Sequence, residues 1–408
     1  MRIYNSTYVL NYGAGFYSFF DNYDTGCLLT HNCQENIVSV EQSEGVYMYA
    51  LNTVASINMS IPGATFYGGG GSGTNYSLVD NYTPSNFFSK FNFYSSYDPT
   101  YGHVQYVDYN TAASNGYISS SANSVRLMVD TTNKYPRGGK GRPSVRIISD
   151  NTYTHGLFLL DLNHMPFGCG TWPAFWLLGP NWPSNGEIDI IEGVNTNTAN
   201  LMSLHSSPNC TIAGSGQSGT LEQSNCDTSQ NGNSGCGTKA DTTAVPNNYG
   251  AGLNSIGGGV YATEWTSNYI KFWFFPRTAI PASITAGTPN LTEFGLPMAN
   301  AQGSCNLDSH FANHSIIINT DFCGAYAGNT YGSDTDCPQN ATAGSSLNSC
   351  VDFVGNNPQN FTQAYWSINS IKVFQIAAAA CFHPDFKFFF SHSNVNQLVN
   401  FRLKFHEF

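Results

Sequence analysis

The sequence predicts an all-β fold, a sandwich of two packed antiparallel sheets, and three observations carry that reading. Short apolar runs of strand length recur from about Asn75 to Phe374, separated by turns rich in Gly, Asn, Ser and Pro. Only 10% of the residues are charged while 14% are aromatic and 40 are glycine, a balance suited to short strands and tight connections. No amphipathic helix of ordinary length competes with this pattern.

In chain order the runs are RLMVD, SVRIIS, HGLFLLDLN, WPAFWLLG, EIDIIE, LMSLHSS, GVYATEW, YIKFWFFP, HSIIIN and YWSINSIKVF. The pieces GLFLL and FWFF are apolar on both parities, as expected of strands covered on both faces. In the last run Trp366 and Ile368 share one parity while Ile371 and Val373 share the other, so a bulge near Asn369 or Ser370 reconciles them.

The remaining composition bounds the biology. A chain of 408 residues supplies ample core for one large β domain. Its net charge of −11, with no basic cluster, excludes nucleic acid as a natural partner. No apolar stretch reaches the length of a membrane span, so the chain reads as soluble. It is also read as a monomer. Eight of the 11 cysteines (Cys169, Cys210, Cys226, Cys236, Cys305, Cys323, Cys337 and Cys350) fall inside the patterned region. None forms a CxxC pair or sits near His at zinc-finger spacing, so disulfides and a secreted, extracellular location are expected rather than a metal cluster, with connectivity left open. Nine N-x-S/T sequons fit secretion but carry little weight in a chain so rich in these residues. The first twenty residues do not meet the pattern of a signal peptide, because Asn and Gly interrupt the apolar run and no small-residue cleavage site follows.

Composition changes at the linker-like Gly68–Gly73. We expect an N-terminal extension over 1–74, one catalytic-type domain over 75–375 and a tail over 376–408 that holds the odd Cys381.

The segment GEIDIIEGVN concentrates the chemistry. In an extended strand Glu187 and Asp189 project one way and Ile188 and Ile190 the other. Simple alternation would put Glu192 in the core and Ile191 beside the acids, and both placements are costly. One extra residue, a bulge at Ile190 or Ile191, returns Glu192 to the face of Glu187 and Asp189. Three carboxylates on one face suit double-displacement glycoside hydrolysis, with one acid as nucleophile, another as proton donor and then base, and a third tuning the first. Acids alternating with isoleucine also mark an ordinary half-exposed strand or a calcium site, so context decides.

That context is specific. The pieces YTHGLFLLDLNHMPFGCGTWPAFWLLGPNWPSNGEIDIIEGVN, GSGQSGTLEQSNC, GGGVYATEWTSNYIKFWFFPR and CGAYAGNTYG resemble glycoside hydrolase family 16, in its fungal laminarinase and mixed-linkage β-glucanase branch, over roughly Asn86 to Phe374. The resemblance implies a concanavalin A-like β-jelly roll with a concave cleft and no cofactor or metal in the chemistry. It further implies retaining endo-hydrolysis of β-1,3- and mixed β-1,3/1,4-glucans, with Glu187 as nucleophile, Asp189 as assistant and Glu192 as acid/base. The E-x-D-x-x-E spacing is similar to the bulged, laminarinase form of the family. A wall-remodelling transglycosylase and a non-catalytic glucan-binding lectin share the fold and stay open as alternatives.

Sugar rings present apolar C–H faces to aromatic platforms. Trp176 and Trp182, just before the acidic strand, are the aromatic candidates; Trp172 shares parity with Trp176 but is equally suited to the core, where Trp265 and Trp273 are assigned. The family resemblance adds His205 in LMSLHSS as a cleft histidine and Arg146 in SVRIIS as a guanidinium for sugar hydroxyls. In CGAYAGNTYG, related enzymes usually carry tryptophan where this chain has Tyr326 and Tyr331, and Tyr331 is expected to touch substrate.

Overall fold

The structure, a computed structural model, describes residues 76–333 and 336–376 in full and the backbone of six short terminal strands. Those strands pair as three antiparallel hairpins: Thr7–Tyr12 with Gly15–Phe20, Met48–Ala50 with Ile57–Met59, and Asp385–His392 with Val395–Arg402. The segment Gly68–Gly73 and Cys381 lie outside the described residues. The chain divides into two units, one of them Leu78–Gln375 and the other made of both termini. Every residue discussed below belongs to the first unit or its immediate border.

The β-jelly-roll sandwich is present as two eight-stranded antiparallel sheets. The first sheet runs Thr220–Gln223, Cys236–Lys239, Leu201–His205, Glu187–Glu192, Thr171–Leu178, His314–Phe322, Arg146–Tyr153 and Phe91–Phe93, in that spatial order. The second is built around Gly156–His164, flanked by Gly259–Trp265 and Trp366–Ile376. Phe175, Leu177, Ile188 and Ile191 of the first sheet meet Phe158, Leu160, Phe272 and Phe274 of the second in one apolar core. Burying a side chain of this size contributes roughly 1.5–3 kcal/mol, so the inward face of each strand is strongly specified.

The doubly apolar runs find cover on both sides. Phe272 and Phe274 enter the core, while Trp273 and Phe275 pack edge-on against Phe294 at 5.5 and 5.1 Å. Trp265 and Trp273 are both buried, as expected. Opposite Gly156–His164, the register of the last strand skips Asn369, which pairs with nothing between Ser370 and Ile368. Trp366, Ile368, Ile371 and Val373 therefore all reach the core. The skipped residue is held by its own amide, which donates to Asp161 at 2.9 Å and to Asn163 at 3.0 Å.

A smaller second core gathers Phe322, Tyr331, Val354 and Phe361 around the Cys323–Cys350 disulfide. It contains the helix Ser346–Asn356, which the search for helical periodicity passed over. Eleven residues with Cys350 and Val354 as the main inward apolar pair make too narrow a stripe to register against the strand pattern. Its start is fixed by the Ser345 side chain, which accepts from the Asn348 N–H. All eight cysteines of the patterned region are paired: Cys169–Cys337, Cys210–Cys305, Cys226–Cys236 and Cys323–Cys350. Among the described residues no helix is long and apolar enough to cross a membrane.

Candidate active site

The register of the acidic strand against Thr171–Leu178 supplies the extra residue that the sequence demands. Leu178 faces Glu187, Leu177 faces Ile188 and Trp176 faces Asp189; then Phe175 faces Ile191 and Ala174 faces Glu192, leaving Ile190 without a partner. Ile190 is the bulge. Glu187, Asp189 and Glu192 consequently share the outer face with Trp172 and Trp176, while Ile188, Ile190 and Ile191 are buried.

A side chain holds the bulge in place. On its other edge the acidic strand pairs with Leu201–His205 only through Glu187, Ile188 and Asp189. Beyond that point Asn200 takes over the ladder: its Oδ1 accepts from the Glu192 N–H at 3.0 Å and its Nδ2 donates to the Ile190 carbonyl at 2.8 Å. Asn200 is fully buried and its own N–H donates to Asn248 Oδ1 at 2.8 Å. Gly193 follows because Tyr249 lies against the backbone there; a Cβ on Gly193 would come within 2.6 Å of the Tyr249 ring.

The acids sit in a crowded electrostatic setting. Glu192 accepts a hydrogen bond from the Trp172 indole N–H at 2.8 Å. His205, directly opposite Glu187 in register, places Nε2 3.4 Å from Asp189 Oδ2. Burial, followed by the charges of Glu187 and Glu192, pushes Asp189 well above the usual carboxylate range. Burial also raises Glu192, against the opposing pull of the Trp172 hydrogen bond. Burial alone would lower His205, but the Asp189 contact and the three carboxylate charges outweigh it and push the imidazole up to about 10. All three shifts favour the protonated forms. His205 Nδ1 is buried without a hydrogen-bond partner among the described residues, and Asp189 Oδ2 has the His205 ion pair as its contact there.

Glu187, Asp189 and His205 also bring one ligand atom each within 4.8 Å of one another, a spacing that suits a cation.

The other expected contacts divide. Arg146 stands in register with Asn319, which faces Ala174 and hence Glu192 across the sheet. Its guanidinium lies 4.7 Å from the Tyr94 ring and 5.0 Å from the Trp176 ring, and its Nε is buried without a hydrogen-bond partner among the described residues. Trp176 is half-buried and donates to Asn319 Oδ1 at 2.7 Å. Trp182 is 44% exposed on the loop joining Leu178 to Glu187. Tyr331 is a correction: it is 0% exposed and packs 6.2 Å from Phe353 in the second core. A single π-helical turn, Gly324–Gly328, follows Cys323, and beyond it the Tyr331 ring packs in the second core with Phe353 of the helix Ser346–Asn356. Tyr326 stays half-buried, edge-on to Trp172 at 5.6 Å.

Sequence reasoning missed Asn200, Tyr249 and Asn319 and left Trp172 undecided. Parity with Trp176 was the available signal for Trp172; Asn200 offers none, since its role depends on where a neighbouring strand stops pairing.

Residues 91–374 match the family model described as XgeA-like, catalytic GH16 domain. A probable endo-1,3(4)-β-glucanase of Aspergillus niger is 43% identical over 338 residues, covering 82% of this chain and 43% of the relative. This chain thus spans less than half the length of that relative. Among solved structures, an elongating GH family 16 β-1,3-glucosyltransferase superposes with a TM-score of 0.70 at 42% identity, covering 74% of this chain and all of that one. Laminarinase 16A from Phanerochaete chrysosporium, with β-glucans in both donor and acceptor sites, gives 0.69 at 42% identity over the same shares.

The Asn200 bridge generates a prediction. Asn200→Ala leaves the Glu192 N–H and the Ile190 carbonyl unpaired, a cost of about 2–4 kcal/mol. Urea unfolding should register that loss, whereas a variant as stable as the parent would show that the bulge does not depend on this side chain.

Proposed function

The chain belongs to glycoside hydrolase family 16, and from that premise we propose that it is a retaining endo-1,3(4)-β-glucanase working by double displacement. The observation that carries this reading is the bulge at Ile190, which puts Glu187, Asp189 and Glu192 on one face. Glu187 attacks the anomeric carbon as the glycosidic C–O bond breaks, and the departing oxygen takes the proton from Glu192. Water then attacks the glycosyl-enzyme, giving up its proton to Glu192 and releasing Glu187.

Each neighbour has a task in that cycle. Burial raises the proton affinity of Glu192, which favours the acid form that the first step needs, and the Trp172 N–H steadies the carboxylate needed for the second. Asp189, with its raised proton affinity beside Glu187, moderates the nucleophile's charge as that charge disappears and returns. His205 adds positive charge where three acids converge. Trp176, Trp182 and Arg146 are the substrate contacts in this proposal, with Trp172 and Tyr326 added and Tyr331 withdrawn.

The β-glucan chain is the proposed substrate, residues 75–375 the catalytic unit, and a compartment outside the reducing cytosol the setting. Four disulfides support the last point. Similarity to an elongating glucosyltransferase supports a second reading, in which a sugar hydroxyl replaces water at the glycosyl-enzyme. Product lengths on laminarin separate them: hydrolysis shortens the chains, and transfer yields products longer than the substrate.

Two variants test the roles. Glu187→Ser should abolish turnover of laminarin and lichenan while leaving binding intact; Glu192→Ala should release an activated aryl leaving group and be accelerated by azide, which needs no general base. Glycosyl azide absent from the products would remove Glu192 from the acid/base role. The Trp172 contact predicts a pH effect. Its N–H favours ionised Glu192, so Trp172→Phe should move the alkaline limb of kcat/KM to higher pH. A limb that stays put or moves down would contradict that contact.

A further inference from the structure

Beyond the strand Phe91–Phe93 the chain runs through YSSYDPTYG, a loop on the rim at the Glu192 end of the site. Its position follows from its attachments. The Tyr94 ring lies on Arg146, and the Tyr94 hydroxyl donates to the Tyr97 carbonyl at 2.7 Å. The Thr100 hydroxyl lies 2.7 Å from Asp321, which faces Trp172 across the sheet. The Thr100 carbonyl accepts from the Ala325 N–H at 2.9 Å, next to Tyr326.

Inside the loop the buried Asp98 carboxylate accepts from the Thr100 hydroxyl at 2.6 Å and from the Gly102 N–H at 2.7 Å. The loop is thus tied down from within and to the wall of the site. It nevertheless presents Tyr97 and Tyr101 to solvent, each 73% exposed, more than any other large apolar side chain among the described residues. Their rings stand 6.0 Å apart.

Single exposed tyrosines are ordinary surface features. This pair differs in its backbone. Tyr101 has φ 60°, in the left-handed region where a Cβ costs about 1–2 kcal/mol and where Gly or Asn is the usual occupant. The Tyr101 ring does not offset that cost by burial, since it stands 73% exposed beside Tyr97. A rigid, strained loop that holds two bare aromatic rings at the edge of a sugar-cleaving site has the chemistry of a stacking platform for pyranose C–H faces.

We propose that Tyr97 and Tyr101 form an accessory platform that engages a β-glucan chain outside the catalytic centre and favours long chains over short ones. The proposal rests on the glucanase reading for the identity of the ligand. It assigns the tyrosines to binding alone, so they enter neither chemical step.

The test compares the Tyr97→Ala/Tyr101→Ala double variant with the parent on laminarin and on a short aryl laminaribioside. Loss of two ring contacts should raise KM for laminarin about tenfold with kcat unchanged. It should leave kcat/KM on the short glycoside unaltered, and the Tyr97→Phe/Tyr101→Phe variant should keep most of the polymer preference. Equal losses on both substrates, or no loss on laminarin, would overturn the proposal. Affinity electrophoresis through laminarin-containing gels reads the platform without turnover. If the parent is retarded but does not cleave, the catalytic reading fails; if parent and double variant are retarded equally, the platform fails.

Discussion

The strict two-residue period of a β-strand is the constraint on which this site depends. An acidic strand with Glu at its first and sixth positions cannot show both to one face without an added residue. The protein inserts Ile190 and thereby keeps Ile188, Ile190 and Ile191 in the apolar core while Glu187, Asp189 and Glu192 stay together outside it. The strand is consequently half core and half chemistry. A one-residue slip would exchange the two halves, burying charge and exposing isoleucine at the same time. Asn200 makes the irregular form locally complete by supplying ladder hydrogen bonds on the edge where Leu201–His205 stops pairing.

Bringing three carboxylates together creates a second constraint, because they repel one another and are poorly hydrated. The protein answers with fixed partners: the Trp172 indole on Glu192 and the His205 imidazole beside Asp189. It also answers with protons, since burial and mutual repulsion hold Asp189 and Glu192 above their ordinary ranges. The same crowding that would destabilise a surface patch thus raises the proton affinity of the acids in the site. Arg146, seated among Tyr94 and Trp176 with no hydrogen-bond partner for its Nε among the described residues, extends the polar surface away from the acids.

Much of this was legible from residue order. Conflicts of parity placed both bulges to within two residues, Asn369 or Ser370 in one sheet and Ile190 or Ile191 in the other, and the register singles out Asn369 and Ile190. The sandwich followed from runs such as FWFF, whose two faces proved to have separate cover. What escaped depends on contacts between distant segments. The pairing of eight cysteines is set by where loops converge, and the ladder-completing role of Asn200 by where Leu201–His205 parts from its neighbour. Tyr331 shows the limit of carrying a position over from relatives: five residues from Tyr326, it turns into a different core.

The central claim is that the bulge makes Glu187 and Glu192 a double-displacement pair. The most direct measurement is proton NMR of the anomeric signals during the first minutes of laminarin or lichenan cleavage, before mutarotation obscures them. β-Configured reducing ends are the expected first product, retained from the β-linked substrate. First-formed α-anomers would mean direct displacement by water, and with it the assignment of Glu187 as nucleophile would fall.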